Sequence, residues 1–506
     1  MRTLNRKNSD MPLPRLLLRA DGNSHIGLGH VMRLLALAEI LREEAAECLF
    51  LLREPQDELR QQLAEAGCAV VEVPVQPLPE EAAWLVRHVL RATDMLVLDG
   101  YSFTYSYQHT IRGAVARLIY LDDLHSFPLA ADLVLNPAGG INLGHYEMRQ
   151  PGARLLVGPA YAPLRAAFRE AALQPASQAS PDTILVCLGG ADPTHQTRHV
   201  AAALLALPSV QLVHAVVGSA YLEWEDLRAW AAQQPRLVLH RNLSAPDLVA
   251  LMRTCGAAVC SPSTVSYEYC AAGSGLLALL QVADNQYDIN QFLCTSGLAL
   301  PYAEALPQLA PALATKLAAQ LRQRQRQVFD GLAPVRLRQE FRALQLPAPP
   351  FYLRPAHRFD SNQLLAWTND ASVRQHSFNP HPVARPQHEQ WFAARLADPN
   401  SLLLIAEDTT KGQPAGLIRF QIEDKQATLS YLLDAAYRGR GLAALLLVAG
   451  TRSVLQAFPQ LQRVVGHVQR SNVASVKAFQ RAGYFVADNI PTEHPGSVTF
   501  VWEGTR

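Results

Sequence analysis

The chain predicts an α/β protein in which two Rossmann-like halves precede a smaller mixed α/β unit. Three observations carry this expectation. Near the start, the apolar strand Leu16, Leu17, Leu18 is followed by a glycine loop and then by Leu34, Leu35, Leu37, Ala38 and Leu41 at helical spacing. The same order returns in residues 183–207: an apolar strand at 184–188, the loop Gly189-Gly190-Ala191-Asp192-Pro193-Thr194, and Val200, Ala203, Leu204 and Leu207 on one helical face. Last, a charged, helix-prone stretch at 321–344 runs into Pro347-Ala348-Pro349-Pro350, where missing amide donors interrupt regular structure. The expected domains are 14–175, 176–345 and 352–506, with a flexible crossing at 174–181 and strands at 401–406, 415–421 and 428–433 in the last.

At 506 residues the chain is too long for one ordinary core, and 49% hydrophobic with 18% charged residues is the balance of a soluble globular protein. A formal net charge of +1 argues against nucleic acid and against a polybasic membrane contact, while leaving small anions open as ligands. No apolar run reaches the roughly 18 residues that span a bilayer. The polar residues 1–10 lack a signal peptide's apolar region, so a cytoplasmic protein is expected. Cys48, Cys68, Cys187, Cys255, Cys260, Cys270 and Cys294 form no Cys-x-x-Cys pair and read as reduced core residues. No His, Cys, Asp or Glu cluster has metal-ligand spacing, so no metal is expected.

The first loop, Arg19-Ala20-Asp21-Gly22-Asn23-Ser24-His25-Ile26-Gly27-Leu28-Gly29-His30-Val31-Met32-Arg33, places two glycines and a histidine between strand and helix. Gly27 and Gly29 permit close backbone approach, and free amides at a helix start favour an anion. This opening closely resembles that of the UDP-sugar hydrolases of pseudaminic acid biosynthesis, and the resemblance covers residues 14–344. It implies a glycosyltransferase-B-like pair of domains facing each other across a cleft, His30 as general base, and metal-independent hydrolysis with inversion. Asp21 either orients His30 or contacts substrate, and Arg33 belongs to the same motif.

Two further runs, Leu98-Asp99-Gly100-Tyr101 and Tyr120-Leu121-Asp122-Asp123, each follow an apolar strand. Carboxylates there face the ligand crevice of an open sheet or cap helices, and the resemblance places both runs near the sugar. In the second half, Gly189 and Gly190 occupy the repeated loop. Ser261-Pro262-Ser263-Thr264-Val265-Ser266-Tyr267-Glu268 follows a strand and opens a helix. Its hydroxyls and amides suit a diphosphate, with Glu268 reaching ribose; a serine cap with a surface glutamate is the plainer alternative. The family usually has glycines where Ser261 and Pro262 stand. Asp284, Asn285 and Gln286 match a family run that borders the cleft, or form a polar turn.

In the last unit, Arg438-Gly439-Arg440-Gly441-Leu442-Ala443 joins a strand to an apolar helix, and Asn472-Val473-Ala474-Ser475-Val476-Lys477-Ala478-Phe479 follows. The first run resembles the acetyl-CoA pyrophosphate loop of the GNAT N-acetyltransferases. The second, with Asn472 and Ser475, resembles their later signature. Successive amides at a helix start form an anion site to which the arginines add charge. Many members carry a tyrosine seven residues after the asparagine to protonate the leaving thiolate. Here that position is Phe479, which leaves Tyr484 and His467 as substitutes or as structural residues. The segments around Trp367 and His388 resemble acceptor-side helices of sugar-nucleotide N-acetyltransferases, or are amphipathic core helices.

Together the resemblances imply a bifunctional enzyme taking a UDP-linked amino sugar and acetyl-CoA through acetylation and then hydrolysis. A glycosyltransferase-B-like transferase with an appended acetyltransferase, and a non-catalytic sugar-nucleotide-binding protein, are the competing readings.

Overall fold

Strands whose apolar residues run continuously are expected to be buried on both faces of a parallel sheet, and the first sheet is of that kind. The computed structural model describes residues 12–21, 28–176, 179–273, 275–309, 311–487, 490 and 494–505; Gly27 lies outside the described residues. The first sheet contains β1 (Arg15–Ala20), β2 (Glu47–Leu52), β3 (Ala69–Glu72), β4 (Met95–Asp99), β5 (Arg117–Leu121), β6 (Leu133–Asn136) and β7 (Arg154–Val157). They are parallel, in the order β3-β2-β1-β4-β5-β6-β7. Leu16, Leu17, Leu18, Leu96, Val97 and Leu98 are all buried in it.

The second sheet contains β8 (Ser180–Cys187), β9 (Leu212–Val217), β10 (Leu237–Arg241), β11 (Cys255–Cys260), β12 (Leu276–Leu279) and β13 (Leu300–Pro301). Its order, β10-β9-β8-β11-β12-β13, repeats the winding of the first. In each sheet the strand order reverses beside the first strand, and ligand crevices of open α/β sheets form at such switch points. The crossing between the sheets comes earlier than sequence spacing suggests. Helix Ala166–Leu173, read as the end of the first half, buries Phe168, Ala171 and Ala172 in one core with Leu185, Val216 and Cys260 of the second. All seven cysteines are free thiols, and five are buried.

The chain divides into two compact units, Leu13–Pro334 with both parallel sheets, and Val335–Arg506. The charged stretch at 321–344 is broken between helices Pro311–Val328 and Ala333–Leu344, where Gly331 turns the backbone at φ +77°. The second helix builds onto the C-terminal unit. Ala343 shares a core with Phe351, Tyr484 and Trp502, and Glu340 pairs with Arg452 at 3.5 Å. A Cβ on Gly483 would lie 3.0 Å from the Gln339 carbonyl oxygen, so glycine there permits the helix to seat.

The C-terminal sheet contains β14 (Phe351–Pro355), β15 (Ser401–Asp408), β16 (Pro414–Glu423), β17 (Gln426–Leu433), β18 (Arg463–Gln469), β19 (Phe485–Val486) and β20 (Ser497–Glu503), ordered β14-β15-β16-β17-β18-β20-β19. Only β17 and β18 pair in parallel, from Gln426↔Arg463 to Leu429↔Gly466. Beyond that point they part, each still paired on its far side: β17 with β16 to Leu433, β18 with β20 to Gln469. Among the described residues no helix is long and apolar enough to cross a membrane.

Candidate functional site

Strand β1 ends at the opening motif, and its arginine is braced from below. Arg19, with no exposed surface, donates from Nε and Nη2 to the two carboxylate oxygens of Glu81 at 2.8 and 2.9 Å. Glu81 also accepts from Tyr107 Oη at 2.7 Å and Arg53 Nε at 2.6 Å. Nη1 of Arg19 donates to Asp21 Oδ1 at 2.5 Å.

His30 is the second residue of helix Gly29–Leu41, and its Nδ1 lies 2.6 Å from Asp99 Oδ1 at the end of β4. An ionised carboxylate only accepts, so Nδ1 carries the proton and Nε2 is the basic nitrogen. The carboxylate that orients the imidazole is therefore Asp99 rather than Asp21, which Arg19 holds. Arg33, one turn along the helix, donates from Nε and Nη2 to Asp99 at 2.9 and 2.7 Å, and from Nη1 and Nη2 to Asp123 at 2.7 and 2.9 Å. Burial opposes the charged imidazole, yet the Asp99 charge and hydrogen bond outweigh burial and Arg33, so the His30 pKa is raised. Burial likewise opposes ionisation of Asp99, but Arg33 and His30 prevail and hold its pKa down to about 2. A neutral imidazole held by an ionised carboxylate in this way has the orientation and basicity to accept a proton at pH values above its raised pKa.

Tyr101 stands edge-on to His30 at 5.0 Å, and its hydroxyl accepts from Asn285 Nδ2 at 2.6 Å. This bond joins the two parallel-sheet lobes at the cleft. Asp284–Gln286 is a short 3-10 helix in which Asp284 is exposed and Gln286 Oε1 accepts from the Val282 amide at 2.9 Å. Among the described residues, a Cβ on Gly29 would meet nothing within 4 Å.

In the second lobe, Gly189 has φ +93° and lies against Ser261, while Gly190 is packed so closely by Gly218 that a Cβ on Gly218 would sit 2.8 Å from its Cα. Helix Thr264–Ala272 follows Ser263, whose side chain does not cap it; Ser263 Oγ instead lies 3.1 Å from Ser261 Oγ. The first amides of this helix thus carry no side-chain cap, and such a terminus attracts anions. Glu268 does not stand open for a ribose. It is buried and receives Arg165 Nε at 2.7 Å and Nη2 at 2.8 Å, while burial, against Arg165, raises its pKa. Arg165 is a residue the sequence reading passed over. Among the described residues no group of three or more His, Cys, Asp or Glu side chains is placed to hold a metal ion.

In the C-terminal unit, Gly439 and Gly441 have φ of +72° and +75°, and Gly441 precedes helix Leu442–Ala457 with no side-chain cap. Leu442 and Ala443 open that helix, and the Arg440 guanidinium lies 5.6 Å over the Tyr437 ring. Arg438 is partly held by the fold: Nε donates to the Leu433 carbonyl at 2.9 Å and Nη1 to Asp370 at 3.1 Å, while the buried Nη2 has no hydrogen-bond partner among the described residues. Asn472 caps helix Val473–Arg481 by accepting from the Ser475 amide at 3.1 Å. The amides at the uncapped start of helix Leu442–Ala457 are free of a side-chain partner, and such a terminus attracts a phosphate group. Trp367 and Phe392 pack with Leu364, Leu403, Ile405 and Leu417, and His388 is buried against the Ser361 carbonyl, so these aromatics serve a core.

Residues 351–484 match the acetyltransferase (GNAT) domain family, and this segment is a GNAT acetyltransferase domain. Two solved acetyltransferases are similar to it. The spermidine N-acetyltransferase of Vibrio cholerae in complex with CoA and spermine is 16% identical, covering 30% of this chain and 95% of that one at a TM-score of 0.28. AAC(6')-Ib in complex with ribostamycin and coenzyme A is 18% identical, covering 30% and 93% at 0.28.

The N-terminal half has relatives of its own. The UDP-2,4-diacetamido-2,4,6-trideoxy-beta-L-altropyranose hydrolase of Campylobacter jejuni is 22% identical over 295 residues, 57% of this chain and 99% of that protein. The spore coat polysaccharide biosynthesis protein SpsG of Bacillus subtilis is 26% identical over 268 residues, 52% and 76%. An uncharacterized Methanocaldococcus jannaschii protein is 23% identical over 279 residues, and the chain spans 56% of its length.

Proposed function

We propose that the chain is a bifunctional enzyme of pseudaminic acid biosynthesis. The C-terminal unit transfers acetyl from acetyl-CoA to the 4-amino group of a UDP-linked 4-amino-4,6-dideoxy-N-acetylaltrosamine. The N-terminal unit then hydrolyses the UDP-2,4-diacetamido sugar to the free sugar and UDP. The observation that carries the hydrolase half is the His30–Asp99 pair, locked by Arg33 and Asp123 beside the switch point of the first sheet.

In this reading His30 Nε2 takes a proton from water as the water oxygen attacks the anomeric carbon. The glycosidic C–O bond breaks with its electron pair going to UDP, and in-line attack inverts the centre. Uncapped amides of helix Thr264–Ala272 receive the diphosphate charge, so the step calls for no metal. Gly189, Gly190, Ser263, Thr264, Asp284 and Gln286 line the nucleotide side; Tyr101 and Asn285 meet the sugar. Glu268 contributes through Arg165, which it orients. In the acetyltransferase, amides after Gly439 and Gly441 hold the acetyl-CoA pyrophosphate, while Arg438 and Asn472 shape the loop and the helix.

Incubation with the UDP-amino sugar and acetyl-CoA, followed by mass analysis, tests both steps. The expected products are CoA, UDP and the free diacetamido sugar. UDP release only when an acceptor sugar is added would replace hydrolysis by glycosyl transfer. Binding without turnover would remove both activities.

A further inference from the structure

The GNAT domain has Phe479 at the position where a tyrosine was expected, and the two substitutes read from the sequence are occupied. Tyr484 is fully buried with its hydroxyl on Thr451 Oγ1, and His467 Nδ1 lies 3.1 Å from Thr499 Oγ1. Another phenol stands nearer the opening between the parallel strands. Tyr431 lies on β17 two residues past the last parallel pair, Leu429↔Gly466, on the segment that has parted from β18. Its Oη is 2.9 Å from Ser475 Oγ, one turn before Phe479 on helix Val473–Arg481. The Phe479 ring is pinned beneath, stacked on Phe500 at 4.9 Å, edge-on to Tyr431 at 6.0 Å, and lying over Gly466, where a Cβ would come within 2.4 Å of it.

We propose that Tyr431, backed by the Ser475 hydroxyl, is the proton donor to the departing thiol in this domain. The proposal rests on the acetyltransferase reading above. As the acceptor nitrogen forms the new C–N bond and the C–S bond breaks, the electron pair of the broken bond goes to sulfur, and Tyr431 gives its O–H proton to that sulfur. Through the Ser475 hydroxyl the phenolate then regains a proton, equivalent by way of solvent to the one the acylated nitrogen loses. One proton has moved from nitrogen to sulfur and the pair returns to its starting state. Burial raises the Tyr431 pKa, with the Ser475 bond opposing, so the phenol is protonated at neutral pH.

The test compares wild type, Tyr431→Phe and Ser475→Ala in the full chain, with acetyl-CoA and the UDP-amino sugar. Tyr431→Phe is expected to lower kcat on the order of 10²-fold with KM for acetyl-CoA unchanged, and Ser475→Ala to lower it less. Calorimetry supplies a readout independent of turnover. Wild type should bind CoA more tightly than desulfo-CoA, and Tyr431→Phe should bind the two alike. Wild-type kcat in Tyr431→Phe, or equal loss of affinity for both ligands, would overturn the proposal. Failure of the wild type to bind acetyl-CoA would instead overturn the acetyltransferase reading on which it rests.

Discussion

Replacing Asp99 by asparagine keeps the shape of the cleft while removing the charge that sets His30. The raised His30 pKa results from Asp99 outweighing burial and Arg33, both of which favour the neutral ring. Without the carboxylate only the lowering effects and the more distant Asp123 remain, so the pKa should fall. Opposite charges about 4 Å apart at an effective dielectric near 20 attract by about 4 kcal/mol, roughly three pKa units before the offset from Arg33. A net fall of about 1–3 units is the usual range for such a pair. In the proposed mechanism hydrolysis requires neutral His30, so the acid limb of kcat/KM should lie above the ordinary histidine value in wild type and move down in Asp99→Asn. The plateau should drop on the order of 10²-fold as the ring loses its orientation. The assay is UDP release from the diacetamido sugar between pH 4 and 9, at buffer steps of about half a unit, with thermal unfolding as a folding control. An acid limb that stays in place or rises in a folded variant would refute the pairing as the source of the base.

His30→Ala should leave UDP affinity, read by calorimetry, near wild type while lowering hydrolysis on the order of 10²-fold or more. Gly441→Glu puts a carboxylate and a side chain at φ +75° before helix Leu442–Ala457. Acetyl-CoA affinity should fall sharply, and hydrolysis of supplied diacetamido sugar should persist. A C-terminal fragment beginning at 352 lacks helix Ala333–Leu344 and exposes its seat beside Gly483 and Trp502. It should melt well below a fragment beginning at Ala333, and equal melting temperatures would deny the helix a structural part.

Local patterns in the sequence mark the parallel strands and the Gly189 and Gly441 turns, because apolar runs and positive-φ glycines act within a few residues, and they leave open whether Ser263 caps its helix. Pairings across the fold were not legible. Asp99 reads as a strand-end carboxylate, but nothing local distinguishes it from Asp21 as the partner of a histidine 69 residues away. Arg165 and Glu268 are 103 residues apart, so nothing local in the sequence tells a glutamate that reaches ribose, or one on the surface, from one buried on an arginine. The stretch 321–344 reads as helix-prone, but neither its break near Gly331 nor the allegiance of helix Ala333–Leu344 is legible, since proline breaks mark where regular structure stops and not which core a helix joins. Tyr431 looked like any strand aromatic, for the parting of β17 from β18 leaves no mark in composition.

The bracing of Arg19 bears on how this protein is free to evolve. Its guanidinium is buried and fastened to Glu81, so a smaller or uncharged replacement would leave that buried carboxylate with Arg53 as its remaining charged partner, and the cost should approach the about 3–5 kcal/mol typical of breaking a buried pair. Selection should therefore hold Arg19 as firmly as His30, one for the standing of the domain and the other for its chemistry. Invariance within this motif does not sort the two. Measuring folding and turnover on the same variants does, and a designer seeking to redirect substrate choice should leave Arg19 and Glu81 alone and work outward from Tyr101 and Asn285.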